Sequence, residues 1–258
     1  MLRRRKKPPK VQRHETPGPQ PSGRRRARPD APVPPTLKVR PDAGRDVVLV
    51  TGFHPFGGEG LNPSWEVCKR LPAKIGELQV ETCRIPCEFR RAIEVVAEAI
   101  ERLQPAMVLC LGQAGGRSHL SVERVAINVD DARIADNSGA SPVDEAIAVN
   151  GPAAYFSTLP IKAMAAAMRG AGVPALVSNS AGTYVCNHLM YGVLHFLAAS
   201  NTPARPGFIH LPYAEEQVLE TPGIASLALA TMVKGVEAAI AAASRHAQDI
   251  KVSEGTLD

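Results

Sequence analysis

Three short apolar runs in this chain give way directly to small-residue loops. Asp46-Val47-Val48-Leu49-Val50 leads into Thr51 to Gly60, Ala106-Met107-Val108-Leu109-Cys110-Leu111 into Gly112 to Arg117, and Ala175-Leu176-Val177 into Ser178 to Gly182. Runs that are apolar throughout, not alternately, suit strands buried on both faces, as in a parallel sheet. Stretches of helical length separate them. Asn62-Pro63-Ser64 caps a helix to about Arg70; Phe89, Ile93, Val96, Ile100 and Leu103 fall at helical spacing; 160–171 and about 183–199 read as helices. Thr221-Pro222 caps a C-terminal helix carrying the stripe Leu229, Val233, Val236 and Ile240. Residues 79–85, Glu123 to Asn128 and Gly207 to Pro212 are further strand-like segments. The alternation predicts an α/β fold: one domain, a mostly parallel sheet flanked by helices, with functional loops at the carboxyl ends of the strands.

The domain is expected to span 46–250, because residues 1–45 have another composition. They hold 14 of the 30 Lys+Arg, 3 of the 25 Asp+Glu and 10 of the 23 prolines, so they carry +11 against −6 (16 minus 22) for the rest. With almost no large apolar side chains they cannot offset chain entropy and read as a disordered basic tail. The clusters Arg3-Arg4-Arg5-Lys6-Lys7 and Arg24-Arg25-Arg26 could touch nucleic acid, but a solvated extension without that partner fits better. No apolar segment follows the basic start and no run of about 18 apolar residues occurs, which argues against a secretory signal and a membrane span. Five cysteines, 68, 83, 87, 110 and 186, lack paired zinc spacing and fit a reducing cytoplasm, with no metal expected.

Cys186 falls in the first turn of a helix that follows a strand and a glycine turn. Free N–H groups and a partial positive charge there favour a thiolate and can cradle an oxyanion. The alternative is a small buried apolar residue. A thiol nucleophile needs a base, and among seven histidines His210, at a strand end, is best placed. His188 lies two residues from Cys186 on one helix, so the two point apart. His54, in the aromatic glycine loop, could line a site.

Four stretches, in this order, resemble the pyroglutamyl peptidase I (pyrrolidone-carboxylate peptidase) family of cysteine peptidases. They are Thr51-Gly52-Phe53-His54-Pro55-Phe56-Gly57-Gly58 with Asn62-Pro63-Ser64; Gly112-Gln113-Ala114-Gly115-Gly116-Arg117 running on through Glu123-Arg124-Val125-Ala126-Ile127-Asn128 to Asp131-Ala132-Arg133; Ser178 to Asn187; and Phe208-Ile209-His210-Leu211-Pro212-Tyr213. The resemblance covers about Val47 to Lys234 and implies a phosphorylase/hydrolase-like fold, no cofactor, a homotetramer, and a triad of Cys186, His210 and Glu123. His54 stands where the family has an acidic residue, and Val122 and Ala135 where it has prolines.

The implied chemistry is removal of an N-terminal pyroglutamyl residue from peptides through a thioester. A helix end contributes only about 1–2 kcal/mol toward ionising a thiol, so an imidazole oriented by Glu123 is needed. A pyroglutamyl ring is a flat neutral lactam, which Phe53 and Phe56 could sandwich without desolvating a charge, with Gln113 as a polar partner and Arg133 beside the oxyanion. Two other classes fit the scaffold: a nucleoside phosphorylase-like or other hydrolase that makes no use of Cys186, and a binding module acting through the tail.

Overall fold

A computed structural model describes residues 46–255; the expectations for residues 1–45 lie outside the described residues. The elements in chain order are β1 (Val47–Phe53), α1 (Pro63–Cys68), β2 (Lys74–Ile75), β3 (Leu78–Ile85), α2 (Arg91–Leu103), β4 (Met107–Gln113), β5 (Leu120–Glu123), β6 (Val125–Ile127) and β7 (Ala154–Phe156). They continue as α3 (Ile161–Gly170), β8 (Ala175–Ser178), α4 (Val185–Ala199), β9 (Arg205–Leu211), β10 (Tyr213–Ala214), a single 3-10 turn, β11 (Ser226–Leu227) and α5 (Leu229–Arg245). Seven strands form the main sheet in the order β2-β3-β1-β4-β9-β5-β8. β3, β1, β4 and β9 run parallel, β5 and β8 run parallel to each other, and β5 is antiparallel to β9. The fold is therefore the mostly parallel α/β sheet that the apolar runs predict, with one internal reversal.

Burial on both faces explains the continuous apolar strands. α1, α3 and α5 contribute Val67, Met164, Met168, Met232 and Val236 to one core with alternate residues of the strands. α2 and α4 contribute Val96, Ile100, Val185, Leu189 and Leu194 to the other. Asn62 caps α1 as expected, its Oδ1 accepting from the Ser64 N–H at 3.1 Å. The same turn fixes the end of β1: the Phe53 N–H donates to Ser64 Oγ at 2.9 Å, and Asn62 Nδ2 donates to the His54 carbonyl at 3.2 Å.

Two expected boundaries differ. Residues 123–128 are not one strand: the chain leaves the main sheet at Arg124, and β6 pairs with β7 in a separate hairpin. Thr221-Pro222 does not cap the last helix, which starts at Leu229 after Ser226–Leu227 has paired with Tyr213–Ala214. A Thr-Pro pair marks a turn as readily as a helix start, and here the turn is used. Beyond residue 250 the chain still holds to the body, where Arg124 Nη2 donates to the Glu254 carbonyl at 2.6 Å.

Candidate active site

Side chains alternate along a strand, so the reversal at β9–β5 gathers specific residues on the face covered by α4. On β9, Ile209 and Leu211 enter the α3/α5 core, which turns Phe208 and His210 toward α4; their rings lie 4.8 Å apart. On β5, Leu120 and Val122 enter that same opposite core, so Ser121 and Glu123 face α4 too. In the register, His210 stands beside Gly112 of β4 on one side and Ser121 of β5 on the other.

Glu123 has no solvent exposure. Its Oε1 accepts from His210 Nδ1 at 2.7 Å and from Arg117 Nη1 at 3.0 Å. With the Nδ1 proton directed at the carboxylate, Nε2 is left as the ring's acceptor, the form a general base requires. Burial pushes the Glu123 pKa up, but the hydrogen bond and charge of His210, the Ser178 hydroxyl and the Arg117 guanidinium together hold it below the usual carboxylate range. An ionised Glu123 can both fix the tautomer and stabilise an imidazolium.

Cys186 is the second residue of α4. Gly182, at φ +80°, makes the left-handed turn before the helix, a conformation that a side chain would strain. The residue keeps some contact with solvent while its sulfur is enclosed. A Cβ built on Gly112 would stand 2.8 Å from Cys186 Sγ and 2.7 Å from the Phe208 ring, so the thiol lies over Gly112, whose register partner on β9 is His210. Burial pushes the Cys186 pKa well above the usual thiol value; Cys87 and Glu123 add to this, and Arg117 opposes it. Desolvation thus outweighs the helix end and favours the thiol, contrary to the thiolate expected from helix position.

The segment after β5 is stapled to the start of α4. Asn187, fully buried, accepts from the Ile127 N–H and donates to the Ile127 and Val129 carbonyls at 2.9–3.0 Å. Thr183 Oγ1 donates to the Asp131 carbonyl at 2.8 Å and the Tyr184 hydroxyl to the Ala135 carbonyl at 3.1 Å. His188 serves the same scaffold: Nε2 accepts from the Arg90 N–H and Nδ1 donates to Asp130 Oδ2, both at 2.7 Å, so it is no partner for Cys186. Asp136 accepts from the Phe89, Ser138 and Ala140 N–H groups and the Ser138 hydroxyl, which leaves it no role in orienting His210.

The expected substrate contacts are placed less uniformly. β1 pairs with β4 only as far as Thr51–Cys110, whereas β4 continues to Gln113, so the two strands part at their carboxyl ends. Neighbouring strands whose connections run in opposite directions are where α/β sheets bind ligands. Phe56 sits there half-buried, its ring centroid 6.1 Å from that of Tyr184. Phe53 is not exposed as the sequence suggests: at 2% exposure it belongs to the apolar cluster with Leu49, Ile85 and Leu189. Gln113 is 9% exposed and its Oε1 already accepts from Gln217 Nε2 at 3.0 Å, so its side chain is engaged within the fold. Arg133 is exposed on the loop stapled to α4, without a polar contact to the triad among the described residues. His54 is half-buried, its pKa lowered by burial and then by Arg84. No group of three or more His, Cys, Asp or Glu is placed to hold a metal among the described residues.

Arg117 is the site residue that sequence reasoning left without a role. The available signal was its place at the end of the Gly-Gly turn that feeds the Glu123 strand.

A helix-borne thiol, an imidazole and a buried carboxylate on an α/β sheet define a cysteine hydrolase. The sequence profile of the pyroglutamyl peptidase family matches residues 46–246, and the chain belongs to that family, cysteine peptidases that remove N-terminal pyroglutamate. It is 53% identical over 212 residues to the pyrrolidone-carboxylate peptidase of Cupriavidus taiwanensis, covering 81% of this chain and 98% of the relative, and 51% identical over 209 residues to that of Erwinia tasmaniensis, covering 81% and 97%. Among solved structures it resembles pyroglutamyl peptidase I from Bacillus amyloliquefaciens (TM-score 0.77, 45% identity, 80% of this chain and 100% of that one). It also resembles the pyrrolidone carboxyl peptidase of Thermococcus litoralis (TM-score 0.78, 38% identity, 81% and 99%).

Proposed function

We propose that this chain hydrolyses the bond after an N-terminal pyroglutamyl residue of peptides, with Cys186 as nucleophile, His210 as base and then acid, and Glu123 as the residue that orients His210. The observation that carries the assignment is the 2.7 Å hydrogen bond from His210 to the buried, ionised Glu123, beside a thiol seated over Gly112. His210 Nε2 takes the Cys186 proton as sulfur attacks the pyroglutamyl carbonyl, so a thiol with a raised pKa is ionised only as the bond forms. The tetrahedral oxyanion is held by N–H groups at the start of α4, with Arg133 reaching it from its stapled loop. The imidazolium protonates the leaving amine, and water, deprotonated by the same nitrogen, then opens the thioester.

The crevice between β1 and β4 takes the lactam ring, with Phe56 against one side, Phe53 beneath, and Gln113 at its edge through the backbone. A ring without an ammonium enters this apolar crevice at no charge-desolvation cost, which an ordinary N-terminus would incur. The enzyme works without a cofactor, in the cytoplasm, as a homotetramer, with residues 1–45 as a basic extension outside the catalytic domain. A chromogenic pyroglutamyl amide tests the reading: release of the chromophore by the intact chain and none by Cys186→Ala is expected, and an active Cys186→Ala enzyme would overturn it.

A further inference from the structure

The crevice that suits the pyroglutamyl ring lies on the β1/β4 side of His210. A second cleft, of about 420 Å³, opens on the other side, over β5 and β8. It lies on the same face as Cys186, because Ser121, Leu176 and Ser178 are the residues that alternate with the core-facing Val122, Ala175 and Val177. His210 lines it, together with Arg117 and the turn that leads into α4. The Ser121 hydroxyl, directly beside His210 in the register, is buried with no hydrogen-bond partner among the described residues. A buried hydroxyl without a partner marks a place where a ligand or water completes the structure.

Its charge is one-sided. No carboxylate lines this cleft among the described residues, since Glu123 is enclosed beneath it and shared between His210 and Arg117. The Arg117 side chain is 32% exposed, and only one of its five N–H groups is directed at Glu123. The acyl group and the leaving amine must sit on opposite sides of the attacked carbon, and the amine must be within reach of the nitrogen that protonates it.

We infer that this cleft holds the residue following the pyroglutamyl group, and that Arg117 on its wall makes an acidic side chain there a better substrate than a basic one. The inference rests on the pyroglutamyl peptidase reading and adds a leaving-group preference to it. Like charge opposite a partly enclosed guanidinium lowers kcat/KM, and opposite charge raises it, more so at low salt.

Pyroglutamyl-Glu, -Gln and -Lys amides, whose blocked C-termini confine the charge difference to one side chain, test this. The expected order of kcat/KM is Glu, Gln, Lys, with about a tenfold span at low ionic strength that narrows in salt. Arg117→Gln slows all three, because Arg117 also touches Glu123, but flattens the ratio among them. Leu176→Glu places a carboxylate on the far wall, away from the triad, and shifts the preference toward Lys. Equal kcat/KM for the three amides in the intact enzyme, or an unchanged ratio in Leu176→Glu, overturns the inference while leaving the enzyme a pyroglutamyl peptidase. Cleavage of none of the three overturns the underlying reading and this inference together.

Discussion

Cys186 occupies the space that a side chain on Gly112 would fill, with Sγ only 2.8 Å from where that Cβ would stand. Adding one methyl group must push the sulfur or the Phe208 ring aside, and Phe208 is packed in the core. Gly112→Ala is therefore expected to lower kcat by about 10²-fold with a smaller change in KM, as for a reacting atom displaced by about 1 Å. Steady-state kinetics with a pyroglutamyl amide, alongside a melting curve to confirm folding, decide it; wild-type kcat would show that the thiol is not held over this glycine.

The other cysteines are expected to take no part in the chemistry. Cys68, Cys87 and Cys110 are buried, and burial raises the pKa of each, to about 12 for Cys87 and Cys110. Each changed singly to Ala should keep turnover near wild type at a stability cost of about 1 kcal/mol for the lost packing. Cys186→Ser and Cys186→Ala should both be inactive and folded.

Under the proposed assignment Glu123 and His210, joined by a 2.7 Å hydrogen bond, act as a unit, which fixes how their losses combine. Glu123→Gln is expected to lower kcat by about 10²–10⁴-fold with KM little changed. His210→Ala should cost at least as much, and the double variant little more than His210→Ala alone. Additive losses, or a defect of Glu123→Gln confined to KM, would move Glu123 out of the triad.

The raised pKa of Cys186 predicts an unusual reactivity profile. In the enzyme without substrate, alkylation by iodoacetamide should keep rising with pH past about 10, where an ordinary thiol of pKa about 8.5 has levelled off. A rate that is already flat at neutral pH would mean that a thiolate–imidazolium pair exists at rest.

Asp136 is a stability prediction with a definite sign. Burial pushes its carboxyl pKa up, but hydrogen bonds from Phe89, Ser138 and Ala140 hold it below the usual carboxylate range. A depressed folded pKa contributes stability that is fully present above the unfolded value and is lost as pH falls through the folded one. Asp136→Ala should destabilise the protein by about 1–3 kcal/mol at neutral pH, with the gap from wild type closing in acid. Denaturant melts at two pH values measure it; a pH-independent difference would assign the effect to packing.

Local pattern marks Cys186, after a strand and a glycine turn, and His210, at the end of an apolar run, as candidates, whereas Glu123 comes only from the family resemblance. What escaped depends on contacts made at long range. Phe53 reads as part of a glycine loop, yet it is the last residue of β1 and is covered by α2 and α4 residues distant in sequence. The engagement of Gln113 comes from Gln217, and the start of α5 depends on β11 finding β10. The reversal of β5 did leave a trace. Only residues 114–119 separate β4 from β5, too few for the helical crossover of about a dozen or more residues that a parallel return needs.

That reversal also governs when the enzyme comes into being. β9 is the last long strand of the chain and lies between β4 and β5, both made of segments more than 80 positions earlier. Glu123 and His210 stand 87 positions apart, and only insertion of β9 brings them together. Pairings of such high contact order form late. In refolding, peptidase activity should recover no sooner than the slowest structural signal. On the ribosome the growing chain presents Cys186 before β9 has paired, so peptidase activity should appear only once most of the protein has emerged.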